Sequence, residues 1–178
     1  MSAIKALIMR DQDRAAPRGT GDAKVGGNYA SSIWSLEAAH EKGFSNVLYL
    51  DAATHSKVEE FGAANFFGIK NNTYVTPKSA SILPSITNKS LRQIAADLGL
   101  TVEERDIPVE ELATFEEAGA CGTAAVISPI GALYDLDNNK TYDYGMKVGE
   151  TCKKMYDHLQ GIQYGRVEDV HNWNVIVE

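Results

Sequence analysis

Apolar and polar positions alternate along this chain in several distinct periods. Ala3–Met9 (AIKALIM) is an apolar run bounded by polar Arg10–Arg14, and it reads as a buried strand that begins within a few residues of Met1. Ala15–Gly27 (AAPRGTGDAKVGG) breaks the pattern as a glycine-rich loop. From Tyr29 the period becomes helical: Ile33, Trp34, Leu36, Ala39 and His40 fall on one side of a helix expected to end at Gly43. Val47–Leu50 follows as a short buried strand.

His55–Lys70 and Thr73–Thr76 then read as strands joined by an Asn71–Asn72 turn. Leu91, Ile94, Ala95 and Leu98 mark a second helix, expected to be capped by Thr87 or Asn88 and closed by Gly99. Thr101–Pro108 is a strand with charged alternate positions, and Val109–Ala118 reads as a short acidic helix with its carboxylates in water. Ala124–Ile127 is a buried strand, Ile130–Tyr144 a hairpin around Asp137–Asn139, and Val148–Leu159 a third long helix. The tail is irregular before Val175–Val177. About seven or eight strands and four helices, without a strict βαβ rhythm, point to an α+β sheet or barrel in one domain.

Composition narrows the classes. A chain of 178 residues with 44% hydrophobic and 23% charged positions is long enough to fold around its own core. Seventeen basic against 24 acidic side chains give a net charge of −7, with the basic residues scattered, so no nucleic-acid partner is expected. No apolar run is long enough to span a membrane and no signal peptide opens the chain, so a cytoplasmic setting is expected. Cys121 and Cys152 have no CxxC spacing and read as buried thiols in a reducing compartment.

The candidate chemistry centres on Lys24. Gly19-Thr20-Gly21 lacks the third glycine of a dinucleotide fingerprint, and no GK[ST] triplet exists for a P-loop. What remains is a lysine among Ala23, Gly26 and Gly27, small neighbours that leave it open to a close-approaching planar molecule. Desolvated there, its amine would be a nucleophile toward a carbonyl. Glu59-Glu60 interrupts an apolar strand, where alternation allows one carboxylate in water and the other turned inward toward a buried cation. Ser85-Ile86-Thr87 before the second helix is a candidate anion site, although capping alone also explains Thr87. Gly119–Ala125 is a second small-residue turn carrying the Thr123 hydroxyl. The four histidines show no metal-binding spacing, so no metal is expected.

Several blocks together resemble one family. Arg14–Ser32 (RAAPRGTGDAKVGGNYASS) is similar to the lysine segment of branched-chain amino acid aminotransferases, pyridoxal-phosphate enzymes of fold type IV. The likeness continues through VEEFGAANFFGI at 58–69, TPKSASILPSIT at 76–87, VEERDIP at 102–108, EAGACGTAAVISP at 117–129 and GIQYG at 161–165. The resemblance implies a mixed sheet or pseudo-barrel flanked by helices, the large domain of that fold. It implies pyridoxal 5′-phosphate as cofactor, with Lys24 as the catalytic residue that holds it covalently and moves the proton. Tyr29 would hydrogen-bond the phenolic oxygen and Glu60 the pyridine nitrogen. Ile86, Thr87 and Thr123 would contact the phosphate. Ala63, Ala64 and Ala124 would receive the substrate carboxylate. The implied reaction exchanges amino groups between leucine, isoleucine or valine and 2-oxoglutarate, in a homodimer.

The resemblance also implies departures. Some relatives carry a redox CxxC where this chain has Ala125-Val126-Ile127-Ser128. The family places a smaller domain ahead of the strand that opens here, so residues 1–178 match the cofactor-binding domain alone. An arginine on the phosphate and most of the apolar substrate pocket would belong to that smaller domain. Two other readings remain open: a fragment that folds and dimerises without turnover, and a D-amino acid aminotransferase or aminodeoxychorismate lyase.

Overall fold

The computed structural model describes residues 1–177. It contains nine strands and three α-helices: β1 Ile4–Met9, α1 Gly26–Glu41, β2 Asn46–Leu50, β3 Val58–Phe61, β4 Asn65–Lys70, β5 Thr73–Pro77, α2 Ile86–Asp97, β6 Thr101–Arg105, β7 Glu117–Gly122, β8 Val126–Asp135, β9 Lys140–Asp143 and α3 Glu150–Gln163. A 3-10 helix covers Val109–Thr114. The strand order β3-β2-β1-β8-β7-β4-β5-β6 is closed by a further β3–β4 pairing, with β9 attached to β8. Six strands therefore return on themselves as a barrel, from which β5 and β6 extend as a flap. Parallel pairs (β1–β2, β1–β8, β5–β6) mix with antiparallel ones, so the expected α+β pseudo-barrel is what the chain forms.

Alternation along each strand divides the interior into three apolar bodies. On β1, Ala6 and Ile8 face one cluster with Leu48, Phe66, Ala120 and Leu133. Leu7 and Met9 face the other way, joining Ala39 and Tyr49 beneath α1. Phe67, Ile69 and Cys121 pack against Leu91 and Ile94 of α2 and Met155 and Leu159 of α3. Both cysteines are buried and unpaired. Among the described residues no helix is long and apolar enough to cross a membrane.

Several local expectations need correction. Gly26 and Gly27 belong to the first turn of α1 rather than to the loop. That helix buries Asn28, Ser35 and Ala39, and leaves Ile33 and Trp34 outside at 59% and 62% exposure. Small side chains let α1 lie close on β1 and β2, so that of the expected stripe Ala39 and part of Leu36 stay inward while Ile33 and Trp34 are turned away. Gly62-Ala63-Ala64 splits the expected 55–70 strand into β3 and β4. The cap of α2 is Ser85, whose Oγ accepts from the Asn88 N–H at 3.2 Å, rather than Thr87 or Asn88. The acidic helix ends at Thr114, and Glu117 starts β7 instead of being a solvated helix face. Its carboxylate accepts the Thr151 and Cys152 N–H groups at 2.9 and 2.8 Å, capping α3 from the sheet. Val175–Val177 form no strand and are exposed. Gly43 and Gly99 do close α1 and α2, at φ +84° and +83°.

Candidate active site

At the end of the barrel near the β3–β4 turn lies a cavity of about 200 Å³. Three segments build it. The first is the loop into α1. Asn28 is buried, and its amide donates to the Thr20 and Ala23 carbonyls at 2.7 and 3.0 Å, which fixes the turn that carries Lys24. Gly21 allows the close approach of this loop to the 79–83 segment, because a Cβ there would stand 2.2 Å from the Ser81 carbonyl oxygen.

The second is the barrel wall. Glu60 is 3% exposed and is held at both oxygens. Oε1 meets the Arg14 guanidinium at 2.8 Å and accepts the Leu83 N–H at 3.1 Å, and Oε2 accepts the Asn65 amide at 3.0 Å. Burial pushes this carboxyl up to about 7 against the pull of Arg14. Arg14 is itself buried and donates to the Gly21 and Ser81 carbonyls. Its Nε finds no partner, which leaves a donor to spare at this wall.

The third is the start of α2. Asn88 accepts the Tyr74 hydroxyl at 2.8 Å and donates to Thr76 Oγ1 at 3.0 Å, and Thr76 in turn donates to the Phe66 carbonyl. This buried chain ties the helix to β4 and β5 and so fixes where its N-terminus points. The Ile86 and Thr87 N–H groups make no hydrogen bond to any described residue. Unsatisfied N–H groups at the start of a 12-residue helix are a seat for an anion.

Lys24, Tyr29, Glu60, Ala63, Ala64, Ile86 and Thr123 all line this one cavity. Thr87 sits beside it in the first turn of α2. Ala124 lines an adjoining cavity of about 290 Å³ that shares Gly62, Ala63, Ala64, Gly122 and Thr123. Gly119–Gly122 lies within β7, so the expected small-residue turn shrinks to residues 123–125. The turn ends on Val126 with φ +60°, a left-handed conformation that costs a β-branched residue about 1–3 kcal/mol.

Two expectations fail here. Lys24 is exposed at the mouth, its Nζ 6.0 Å from the centre of the Tyr29 ring, so it is open as its small neighbours allow but the described residues do not supply the desolvation expected of it. Glu59 is not in water: it is as buried as Glu60, because the 78–81 segment folds over it and Ser79 donates to Oε1 at 2.6 Å. Arg14, Asn65 and Cys121 also line the site, and no motif or spacing singled them out.

The model of the amino-transferase class IV family matches residues 2–133, and the chain belongs to that family. It is 51% identical over 179 residues to a branched-chain-amino-acid aminotransferase of Haemophilus influenzae, covering 97% of this chain and 52% of that protein. The crystal structure of the Escherichia coli branched-chain amino acid aminotransferase superposes with a TM-score of 0.84 at 29% identity, over 96% of this chain and 54% of that one. The holo-form of the Thermobaculum terrenum enzyme, a PLP form, gives 0.83 at 27% identity over 96% and 54%. The chain thus spans about half the length of the relatives it matches.

Proposed function

We propose that this chain is the cofactor-binding domain of a branched-chain aminotransferase, and that its cofactor is pyridoxal 5′-phosphate. The convergence of Lys24, Tyr29, Glu60 and the open N-terminus of α2 on one cavity carries the reading. Each part of the cofactor has a matching group. A carboxylate buried beside Arg14 suits a pyridine nitrogen that must stay protonated. Free N–H groups at a helix start, with Thr123 across the cavity, suit a phosphate dianion. An amine stands at the mouth for the carbonyl. When bound, the cofactor supplies an electron sink for the substrate carbon.

The chain's own residues then hold and move protons. With the cofactor bound, Glu60 would keep charge at the ring nitrogen, Arg14 and Asn65 keep Glu60 in place, and Lys24 would carry the proton between the substrate α-carbon and the cofactor's exocyclic carbonyl carbon. Tyr29 holds the phenolic oxygen. The backbone at Ala63, Ala64 and Ala124 receives the substrate carboxylate. The amino donor and acceptor in this reading are leucine, isoleucine or valine and 2-oxoglutarate. A cytoplasmic homodimer is part of the same proposal, favoured by the outward-facing Ile33 and Trp34.

Adding pyridoxal phosphate to the purified chain is expected to give a long-wavelength absorbance band that borohydride removes and Lys24→Ala lacks. No band with the wild-type chain overturns the reading. Exposure of Lys24 favours a second possibility, a domain that holds cofactor with little turnover. A coupled leucine/2-oxoglutarate assay separates the two, and a panel of both amino acid enantiomers tests the substrate class.

A further inference from the structure

Across β3 from the cofactor cavity lies a second one, of about 320 Å³. Successive strand residues face opposite ways, so Glu59 looks into it where Glu60 looks into the first. Glu59 is 5% exposed, and while Oε1 takes the Ser79 hydroxyl, Oε2 accepts no hydrogen bond from any described residue. The aminotransferase reading makes no use of this carboxylate. Burial raises its pKa against the pull of the Ser79 hydroxyl and of Arg14, and no ion pair holds it among the described residues.

The other charges around the cavity do not balance it. Asp51 is consumed by the Thr54, Ser56 and Lys57 N–H groups and the Thr54 hydroxyl. Asp106 is paired with Lys57 at 2.6 Å. Arg18 and Lys78, exposed at the rim, pair with no carboxylate among the described residues. One buried carboxyl inside and two unpaired cations at the mouth are left over. A metal ion would find a single carboxylate and one hydroxyl, too few oxygens to replace its water. A simple anion would be drawn to the rim and meet a carboxyl inside.

We propose that this cavity binds a small zwitterion, a primary amine that also bears a carboxylate, with its ammonium on Glu59 and its carboxylate on Arg18 and Lys78. Charge-assisted hydrogen bonds at both ends select for the pair of groups over either alone. The ammonium also supplies a direct ion-pair partner, which Glu59 lacks among the described residues.

The test is calorimetric titration of the cofactor-free chain with glycine, β-alanine and 4-aminobutanoate, which space the two charges differently, alongside propylamine and propionate. At least one zwitterion is expected to bind saturably, and at least tenfold more tightly than propylamine or propionate. Glu59→Gln, which can keep the Ser79 contact, is expected to weaken binding tenfold or more. The double variant Arg18→Met/Lys78→Met, at exposed positions, should weaken it several-fold and serves if the first variant misfolds. Lys24→Ala should leave the affinity unchanged, which separates this site from the cofactor cavity. The proposal is overturned if no zwitterion saturates, if propylamine or propionate binds equally well, or if neither the Glu59 nor the rim variants weaken binding.

Discussion

The two ends of the candidate active site are built to different standards. At the wall, Glu60 is buried, each oxygen has a partner, and Arg14 is tied to two loops as well as to the carboxylate. At the mouth, Lys24 is exposed and approaches little more than the face of the Tyr29 ring. A buried carboxylate cannot be left unattended without a large free-energy penalty, so the fold must supply its partners in advance. An exposed amine carries no such obligation. The contrast says that the described residues preorganise the carboxylate end by themselves and leave the amine end open.

The harshest way to break this contrast is Arg14→Met. Removing one member of a buried ion pair costs about 3–5 kcal/mol, because the other charge is left without compensation. Here the loss is expected near that range at pH 8 and to shrink at pH 5, where Glu60 relieves the problem by taking a proton. Urea unfolding of the cofactor-free chain at the two pH values measures it. A loss below about 1 kcal/mol at pH 8 would show that the pair does not organise the wall.

Slightly gentler is the pH dependence of Glu60 itself. Its carboxyl titrates near 7 in the fold and near 4.5 when unfolded. Between those values the folded state binds the extra proton, so stability is full below about 4.5 and falls as pH rises through 7. The interval corresponds to about 3 kcal/mol. Glu60→Gln should flatten that slope, and the difference between the two unfolding curves isolates it from the other carboxylates. Two parallel curves would mean that Arg14 already keeps Glu60 ionised.

How much of this was legible beforehand differs between the two ends in the same way. The open mouth is written locally: small residues around Lys24 leave it unshielded, and they are adjacent in sequence. The wall is not local. Arg14, Glu60, Asn65 and Leu83 lie on four separate segments, and only the closure of β3 on β4 and the packing of the loop through Gly21 bring them together. Alternation along β3 distinguished the faces of Glu59 and Glu60 correctly, but not their burial, because the 78–81 cover comes from elsewhere in the chain. Strands β1, β2 and β5 and the glycine stops of α1 and α2 were readable because each depends on its own residues, whereas β7 was hidden in a stretch of small residues. The buried side of α1 was not, since close packing of Ser35 and Ala39 outweighed the outward apolar pair.

Lys24→Ala sharpens the comparison from the other side. Lys24 makes no side-chain hydrogen bond or ion pair with a described residue, and its one contact is a cation–π approach at 6.0 Å. An exposed contact of that length contributes at most about 0.5–1 kcal/mol, and alanine is the better helix former just ahead of α1. The stability of the cofactor-free chain should therefore move by no more than about 0.5 kcal/mol, within the range of ordinary surface substitutions. Thermal unfolding with and without pyridoxal phosphate gives both halves of the argument. Without it the two chains should melt together, and with it only the wild type should gain stability, by mass action on the folded state. A large loss in the cofactor-free variant would mean that Lys24 braces the loop, and the mouth would then be as preorganised as the wall.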